Sequence, residues 1–380
     1  MSETDELKPG LEGVTVAETR LSNIDGENGQ LVIAGFPVDE LAPNATFEEV
    51  LYLLREDELP THDELADFRA ELATRRAVAD EAIETVVRAA GEEGQTAMDA
   101  LRMGISAASL GREGEEDPAE DSLDAVAKMP TLAAAYKRAS EGNEPVEPRE
   151  DLRHAASYIH LLTGEDPDEE AARGLETYLN TVVDHGLNAS TFTARTIVST
   201  ESDVVSGVTG AVGALKGPLH GGAPGPVLDM IERAHERGDP EAVLRKELEG
   251  GNRLMGFGHR VYRTRDPRAA VLEEASKEFY EGAGSAFFET ARETEQVGIE
   301  LLEERKPDLN LSTNVEFYTA VLLRGVGIPR DLFSPTFAVG RAAGWTAHCL
   351  EQLEDNRLIR PRSRYVGGED RTWTPVEERE

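Results

Sequence analysis

The sequence predicts a mainly α protein with one small β-hairpin near its N-terminus. Apolar residues recur at three- and four-residue steps along most of the chain, the spacing of one face of a helix. Strand character is confined to two short runs flanking a turn rich in Asp, Asn and Gly. The phosphate-binding signatures of the common α/β folds are missing: Gly256-x-Gly258 does not complete a dinucleotide fingerprint, and no Walker A lysine occurs.

In chain order, Thr19–Ile24 and Gln30–Ile33 form the hairpin around Asp25-Gly26-Glu27-Asn28-Gly29. Phe47–Leu54 continues with helical spacing. Pro60-Thr61-His62-Asp63-Glu64 then opens a helix, with Thr61 as its cap and early acids at the positive end of its dipole. Further helices are expected over 79–90, 97–110, 122–140, 152–162, 169–183 and 224–235. Two acidic stretches, Gly111–Pro118 and Glu141–Glu150, read as exposed connections. Val204–Lys216 sets Gly207, Ala211 and Ala214 on one helical side, with Gly210 and Gly213 nearby. Glycine inside a helix costs about 1 kcal/mol relative to alanine, so this backbone packs unusually close to a neighbour, either a second copy or its own core. No repeat or low-complexity linker divides the chain; a second domain is expected around 225–305, which the chemistry-bearing segments bracket.

The formal charge is −35, from 74 acidic and 39 basic residues, only seven of them lysine. That field repels nucleic acid and anionic membranes, and at ordinary salt it would push the folded state apart. Near molar salt the Debye length falls to about 3 Å and the repulsion is screened, so the composition reads as adaptation to high salt. A disordered acidic chain would have fewer aliphatics and less periodicity. Met1–Gly10 lacks the basic and apolar regions of a secretory signal, no run approaches a membrane span, and the expected location is the cytosol. Cys349 is the single cysteine, which excludes an intrachain disulfide and a thiolate zinc site, and it reads as a small buried helix residue rather than a reactive thiol. The eight histidines show no paired metal-ligand spacing, so no metal is expected.

Three segments carry the chemistry. His220 precedes Gly221-Gly222, with Pro224 or Pro226 suited to the first turn of the next helix. A nearby helix N-terminus would keep this imidazole neutral, a hydrogen-bond donor suited to an enol, although a plain loop histidine fits the segment as well. His259 lies in Gly256-Phe257-Gly258-His259, followed by Arg260, Arg263, Arg265 and Arg268: an anion site, or a solvated salt-bridge network. Glu316 opens an apolar stretch after Asn314-Val315 and is either a desolvated base or an exposed first-turn acid. Two imidazoles, a carboxylate and a guanidinium are the parts needed to remove a proton beside a carbonyl while holding an anionic partner.

In their order and flanking residues, Leu219-His220-Gly221-Gly222-Ala223, the 256–262 segment with Asp266-Pro267-Arg268, and Asn314-Val315-Glu316-Phe317-Tyr318 resemble the citrate synthase family, and the similarity covers nearly the whole chain. The resemblance implies a two-domain helical fold: a large domain over 1–219 and 325–380 and a small mobile domain over 220–324 that closes on the substrates by a hinge. It implies a cytoplasmic homodimer condensing acetyl-CoA with oxaloacetate and water to citrate and CoA, with acetyl-CoA as co-substrate, no permanently bound cofactor and no metal. Under it, Glu316 is the base, His220 stabilises the enol, and His259 polarises the oxaloacetate carbonyl. Arg268 binds a substrate carboxylate. Val183-Asp184-His185-Gly186-Leu187-Asn188-Ala189-Ser190 resembles the segment that gives His185 an oxaloacetate role, and Gly340-Arg341-Ala342-Ala343-Gly344 the one carrying a carboxylate-binding arginine, Arg341. Leu358-Ile359-Arg360-Pro361-Arg362-Ser363 resembles the segment whose arginine reaches the partner's site, so Arg360 would act in trans; Arg263 and Lys306 fall where CoA phosphates would bind.

Two positions depart from the family pattern. Gly186 stands where the family usually has glutamate, and Glu316 where its base is aspartate. The extra methylene either is absorbed by the local backbone or slows the enzyme, since a misplacement of roughly 1 Å can cost about a hundredfold in rate. The rival readings are a 2-methylcitrate synthase using propionyl-CoA and a non-catalytic sensor of CoA or dicarboxylates. The charge itself gives a first prediction: the melting temperature rises steeply from low to molar salt, and a flat profile would refute the high-salt reading.

Overall fold

The computed structural model describes residues 7–110, 117–221, 224–258, 262, 264–283, 285–305 and 311–379. Its sheet has three antiparallel strands, β1 (Ser22–Asp25), β2 (Gln30–Ile33) and β3 (Phe36–Pro37), in the order β1-β2-β3 with Ser22 opposite Ile33 and Asp25 opposite Gln30. Asp25 builds the turn by accepting from the backbone of Glu27 and Asn28 at 3.1 and 3.0 Å. The third strand is two residues long, too short to leave a period-two pattern in the sequence.

The helices described are α1 (Val38–Leu41), α2 (Phe47–Glu56), α3 (His62–Thr74), α4 (Asp80–Gly91), α5 (Ala97–Ala107), α6 (Pro118–Ser140), α7 (His154–Thr163) and α8 (Glu169–Thr181). They continue with α9 (Ala189–Val198), α10 (Val204–Leu215), α11 (Pro224–Arg237), α12 (Pro240–Glu249), α13 (Pro267–Ala283), α14 (Ala286–Arg305), α15 (Val315–Gly325) and α16 (Phe333–Glu354). The expected Thr61 cap is present as a full capping box with Glu64, and Thr46 with Glu49 and Thr96 with Asp99 repeat it. The first strand starts at Ser22 rather than Thr19, and two helix boundaries differ from expectation by more than two residues. The helix expected to reach residue 110 stops at Ala107, and Asp117-Pro118, expected in a loop, begins α6: Asp117 caps its first turn and Pro118 needs no hydrogen-bond partner there. The rest of that acidic stretch, 111–116, lies outside the described residues.

Helix α16 is the core's axis. It packs on α6, α8, α9 and α10 and is buried on nearly every side, with Trp345 fully enclosed. A helix apolar all round shows no 3.6-residue stripe, which is why periodicity did not announce it. Helices α11 to α15 pack chiefly on one another, and α13 and α15 also touch α8. The His220 turn, the 256–258 loop, Tyr262 with Asp266 and Arg268, and the start of α15 therefore meet along the border between these helices and the α8/α9/α16 body. On α10, a Cβ at Gly207 would lie 3.0 Å from Val198 and one at Gly210 would lie 2.3 Å from Ile197, so both glycines serve a contact with α9 inside the chain. Cys349 is buried on α16, where burial pushes its thiol up to about 12.

Candidate active site

The site begins with how closely α16 approaches the segment after α8. A Cβ on Gly344 would lie 2.3 Å from the Val183 carbonyl, and one on Gly340 would lie 3.0 Å from the Leu179 carbonyl, so only glycine allows the helix this near. Between them, Arg341 is 1% exposed, donates Nε to the Val182 carbonyl at 2.6 Å and stacks 4.6 Å from the Phe337 ring centre. Burial lowers its pKa to about 10, partly offset by Asp184. Its charge also acts on Arg268, Tyr178 and Glu316, and on His220, so it sits at the centre of the assembly.

His220 follows α10 in a tight turn in which its N–H donates to the Gly217 carbonyl at 2.9 Å, and Ser334 donates to the Gly221 carbonyl at 2.5 Å. Its Nε2 lies 3.3 Å from the backbone N–H of Ser190, in the first turn of α9, and 2.8 Å from the Ser190 hydroxyl. A backbone N–H can only donate, so Nε2 accepts and the proton sits on Nδ1. Burial first, then Arg341, lower its pKa to about 4, so the imidazole is neutral at pH 7 with one N–H left to give. The helix N-terminus that holds it is that of α9, capped by Asn188, rather than that of the helix following His220. Trp345 Nε1 donates to the Ser190 hydroxyl at 3.0 Å and fixes it in turn.

Glu316 lies in the first turn of α15, whose cap, Asn314, accepts its N–H at 3.0 Å. The chain before α15 is zipped to the glycine loop: Asn314 N–H donates to the Gly256 carbonyl at 2.9 Å, Gly258 N–H to the Ser312 carbonyl at 2.8 Å, and Asn314 Nδ2 to the Gly258 carbonyl at 2.9 Å. Gly256 and Gly258 have φ of +86° and +76°, the left-handed conformation that makes both glycines of the motif necessary. Burial pushes Glu316 up to about 7, with Arg268 pulling down, Asp266 pushing up and Arg341 pulling down. Arg268 is 4% exposed and gripped by Asp266 through Nε at 3.1 Å and Nη2 at 2.9 Å, while Val315 N–H also donates to Asp266 at 3.3 Å. Asp266 thus joins the arginine to the helix carrying Glu316.

His185 Nε2 lies 3.0 Å from the Tyr262 hydroxyl, and the Tyr262 ring centre is 6.0 Å from the Arg268 guanidinium. Gly186 has φ +57°, and a Cβ there would come 3.3 Å from Ile24, so the departure at this position suits its turn. Of the residues singled out in the sequence, His185, His220, Arg268, Glu316 and Arg341 thus belong to one connected assembly. Arg360 does not join it: it is exposed on an irregular C-terminal segment. His259, Arg263 and Lys306 lie outside the described residues, although Gly258, directly before His259, is tied to the Glu316 cap. Sequence reasoning assigned no role to Ser190, Tyr262, Asp266 or Trp345; Tyr262 and Asp266 stood inside the quoted motifs, whereas nothing local marked Trp345. Among the described residues no group of three or more His, Cys, Asp or Glu is placed to hold a metal.

A carboxylate poised near neutrality, a neutral imidazole donor and two buried guanidiniums define an enzyme site for deprotonating carbon beside a carbonyl while binding an anion. The model of the family described as "Citrate synthase, C-terminal domain" matches residues 10–362. The citrate synthase of Haloferax volcanii is 46% identical, over 98% of this chain and 99% of its own. The solved citrate synthase of Pyrobaculum aerophilum is 36% identical with a TM-score of 0.87, over 100% of this chain and 97% of its own. The Thermoplasma acidophilum enzyme, solved as a ternary complex with carboxymethyl coenzyme A and oxaloacetate, is 30% identical with a TM-score of 0.85, over 98% of this chain and 100% of its own. A 2-methylcitrate synthase, that of Shewanella oneidensis, matches at 36% identity over the full length of both chains. The chain belongs to the citrate synthase family, and its activity is that of a citrate synthase, an acyltransferase.

The Glu316 shift has two measurable consequences. A carboxyl protonated below about pH 7 makes any kcat that needs its ionised form fall as pH drops through that value, while His220 stays neutral down to about pH 4 and leaves no limb above it. A carboxyl whose folded pKa lies above its ordinary value of 4.5 weakens the fold progressively from pH 4.5 to 7, and the full cost persists above 7. Glu316→Gln removes that cost, so it raises stability at pH 7.5 by on the order of 1–3 kcal/mol while abolishing turnover. Denaturation curves at pH 7.5 and 4 check this: the gain vanishes at the lower pH, and a Gln variant that is active or no more stable at pH 7.5 contradicts the shift.

Proposed function

We propose that catalysis runs by enolisation, aldol-type addition and hydrolysis, with the following division of labour. Glu316 removes a proton from the acetyl-CoA methyl group, and His220 Nδ1–H donates to the thioester oxygen as the enol forms. The enol carbon attacks the oxaloacetate ketone, whose carbonyl His259 binds and polarises. Water then cleaves the citryl thioester, releasing citrate and CoA. His185, Arg268 and Arg341 bind oxaloacetate, and Arg263 and Lys306 take the CoA phosphates. The observation that carries this reading is the pairing of a carboxylate raised to about 7 with an imidazole lowered to about 4, both under the field of Arg341. These are the protonation states that proton abstraction and enol stabilisation need near pH 7.

Helices α11 to α15 form the heart of a mobile domain over 220–324, closing against the remainder. We read the protein as a cytoplasmic homodimer adapted to high salt, with no permanent cofactor and no metal, in which Arg360 reaches the partner's site. The exposure of Arg360, Tyr365, Val366 and Trp373 supports this, since such a tail buries its apolar residues only against another surface.

Thiol release measured at high salt tests the activity: acetyl-CoA with oxaloacetate turns over faster than propionyl-CoA with oxaloacetate. Preference for propionyl-CoA would make the chain a methylcitrate enzyme, and no release with either a sensor. For the tail, mixed and re-dimerised Arg360→Ala and His185→Ala proteins regain activity in the heterodimer that holds one intact site. If mixing recovers nothing beyond the parents, Arg360 does not act in trans.

A further inference from the structure

His348 takes no part in the chemistry above, yet it is fully buried on α16 within reach of three ionisable side chains. Its Nδ1 lies 3.0 Å from Arg195 Nη1, and a guanidinium can only donate, so Nδ1 accepts. The ring proton therefore sits on Nε2, which faces Asp184 Oδ2 at 3.3 Å. That same oxygen accepts from the Ser22 hydroxyl at 2.5 Å and from the Gly186 N–H at 3.3 Å, and Gly186 N–H also reaches the Ser22 hydroxyl at 2.9 Å. Asp184 Oδ2 is thus a hub for three donors from α16, β1 and its own turn, and His185 is the residue enclosed by that turn. On the far side, Arg195 is held by Gln352 at 3.0 Å and by Glu351 at 2.5 Å, and Glu351 accepts from Arg20 N–H at 2.9 Å.

We propose that His348 is a positioning residue for the oxaloacetate site: by holding the Asp184 carboxylate it fixes the 184–186 turn and hence the direction of the His185 imidazole. The inference rests on His185 binding oxaloacetate. Asp184 is fully buried and needs its donors, so losing the one from α16 lets the turn rotate. Ser22 ties the same turn to the N-terminal hairpin, which gives that small sheet a part in substrate binding.

The test exploits which ring nitrogen does the work. Glutamine places its amide NH2 near the position of Nε2, whereas asparagine reaches only as far as Nδ1. His348→Gln therefore keeps the donor to Asp184 and holds KM for oxaloacetate within about threefold of the parent, while His348→Asn raises it about tenfold or more. KM for acetyl-CoA stays within about twofold in both, which a general loosening of the core would not spare. Ser22→Ala, at a half-buried strand position, raises oxaloacetate KM from the opposite side of the hub and serves if a His348 variant fails to fold. Equal oxaloacetate KM in the Gln and Asn variants, an equal rise for acetyl-CoA, or an unchanged Ser22→Ala protein overturns the proposal. His185→Ala separates the two ideas. If it leaves oxaloacetate KM unchanged, the reading of His185 fails and the proposal with it; if it raises KM while His348→Asn does not, only the positioning role fails.

Discussion

The buried positive charge of Arg341 is what the rest of the site depends on. A guanidinium in the interior costs several kcal/mol unless carboxylates or dipoles answer it, and here the answer is incomplete: burial still holds its pKa down at about 10 despite Asp184. Arg268 has its own bidentate partner in Asp266, but Arg341 bonds the Val182 carbonyl through Nε. Buried positive charge answered this incompletely suits an anion, which is an electrostatic argument for the oxaloacetate site proposed above. The same charge sets the protonation states around it. It opposes a second cation at His220, and it moderates the rise that burial imposes on Glu316.

That balance works only because the backbone brings the charges together. Gly340 and Gly344 let α16 lie against the Leu179 and Val183 carbonyls, and beside that contact stand Arg341 and the turn with His185. The first turn of α9 supplies the donor that sets the His220 tautomer, the Ser190 N–H, five residues after His185. Across the border, the pairing of Phe257 with Thr313 and the bonds from Asn314 make the glycine loop and the Glu316 helix one rigid corner. The site is thus two preorganised halves, one on the α8/α9/α16 body and one on α13/α15. The closing motion proposed above would leave each half intact.

Much of this was legible in the sequence, for identifiable reasons. Helices with one apolar face and a Thr or Asp cap, such as α2, α3 and α8, leave a periodic trace; α16, buried all round, and α9, rich in β-branched residues, leave none. The residue types at His220, Arg268 and Glu316 pointed to enolisation chemistry, but their segments alone left loop and salt-bridge readings open, and resemblance to a family decided between them. Periodicity could not show which helix N-terminus faces His220, nor that Asp266 links Arg268 to Glu316, because both are contacts between distant parts of the chain. The α10 glycines illustrate the same limit: their spacing demanded a close neighbour, and only the packing identified it as α9.

Glu316 is where these constraints meet. As a first-turn residue of α15 it lies at the positive end of a helix dipole, which favours the carboxylate, yet burial outweighs this and carries its pKa to about 7. An aspartate at this position would carry its carboxylate on a chain one methylene shorter. In the role proposed for it, a carboxylate raised to about 7 is a stronger base than an ordinary glutamate, while its extra rotatable bond must be frozen to reach the proton, so the two effects on rate oppose each other.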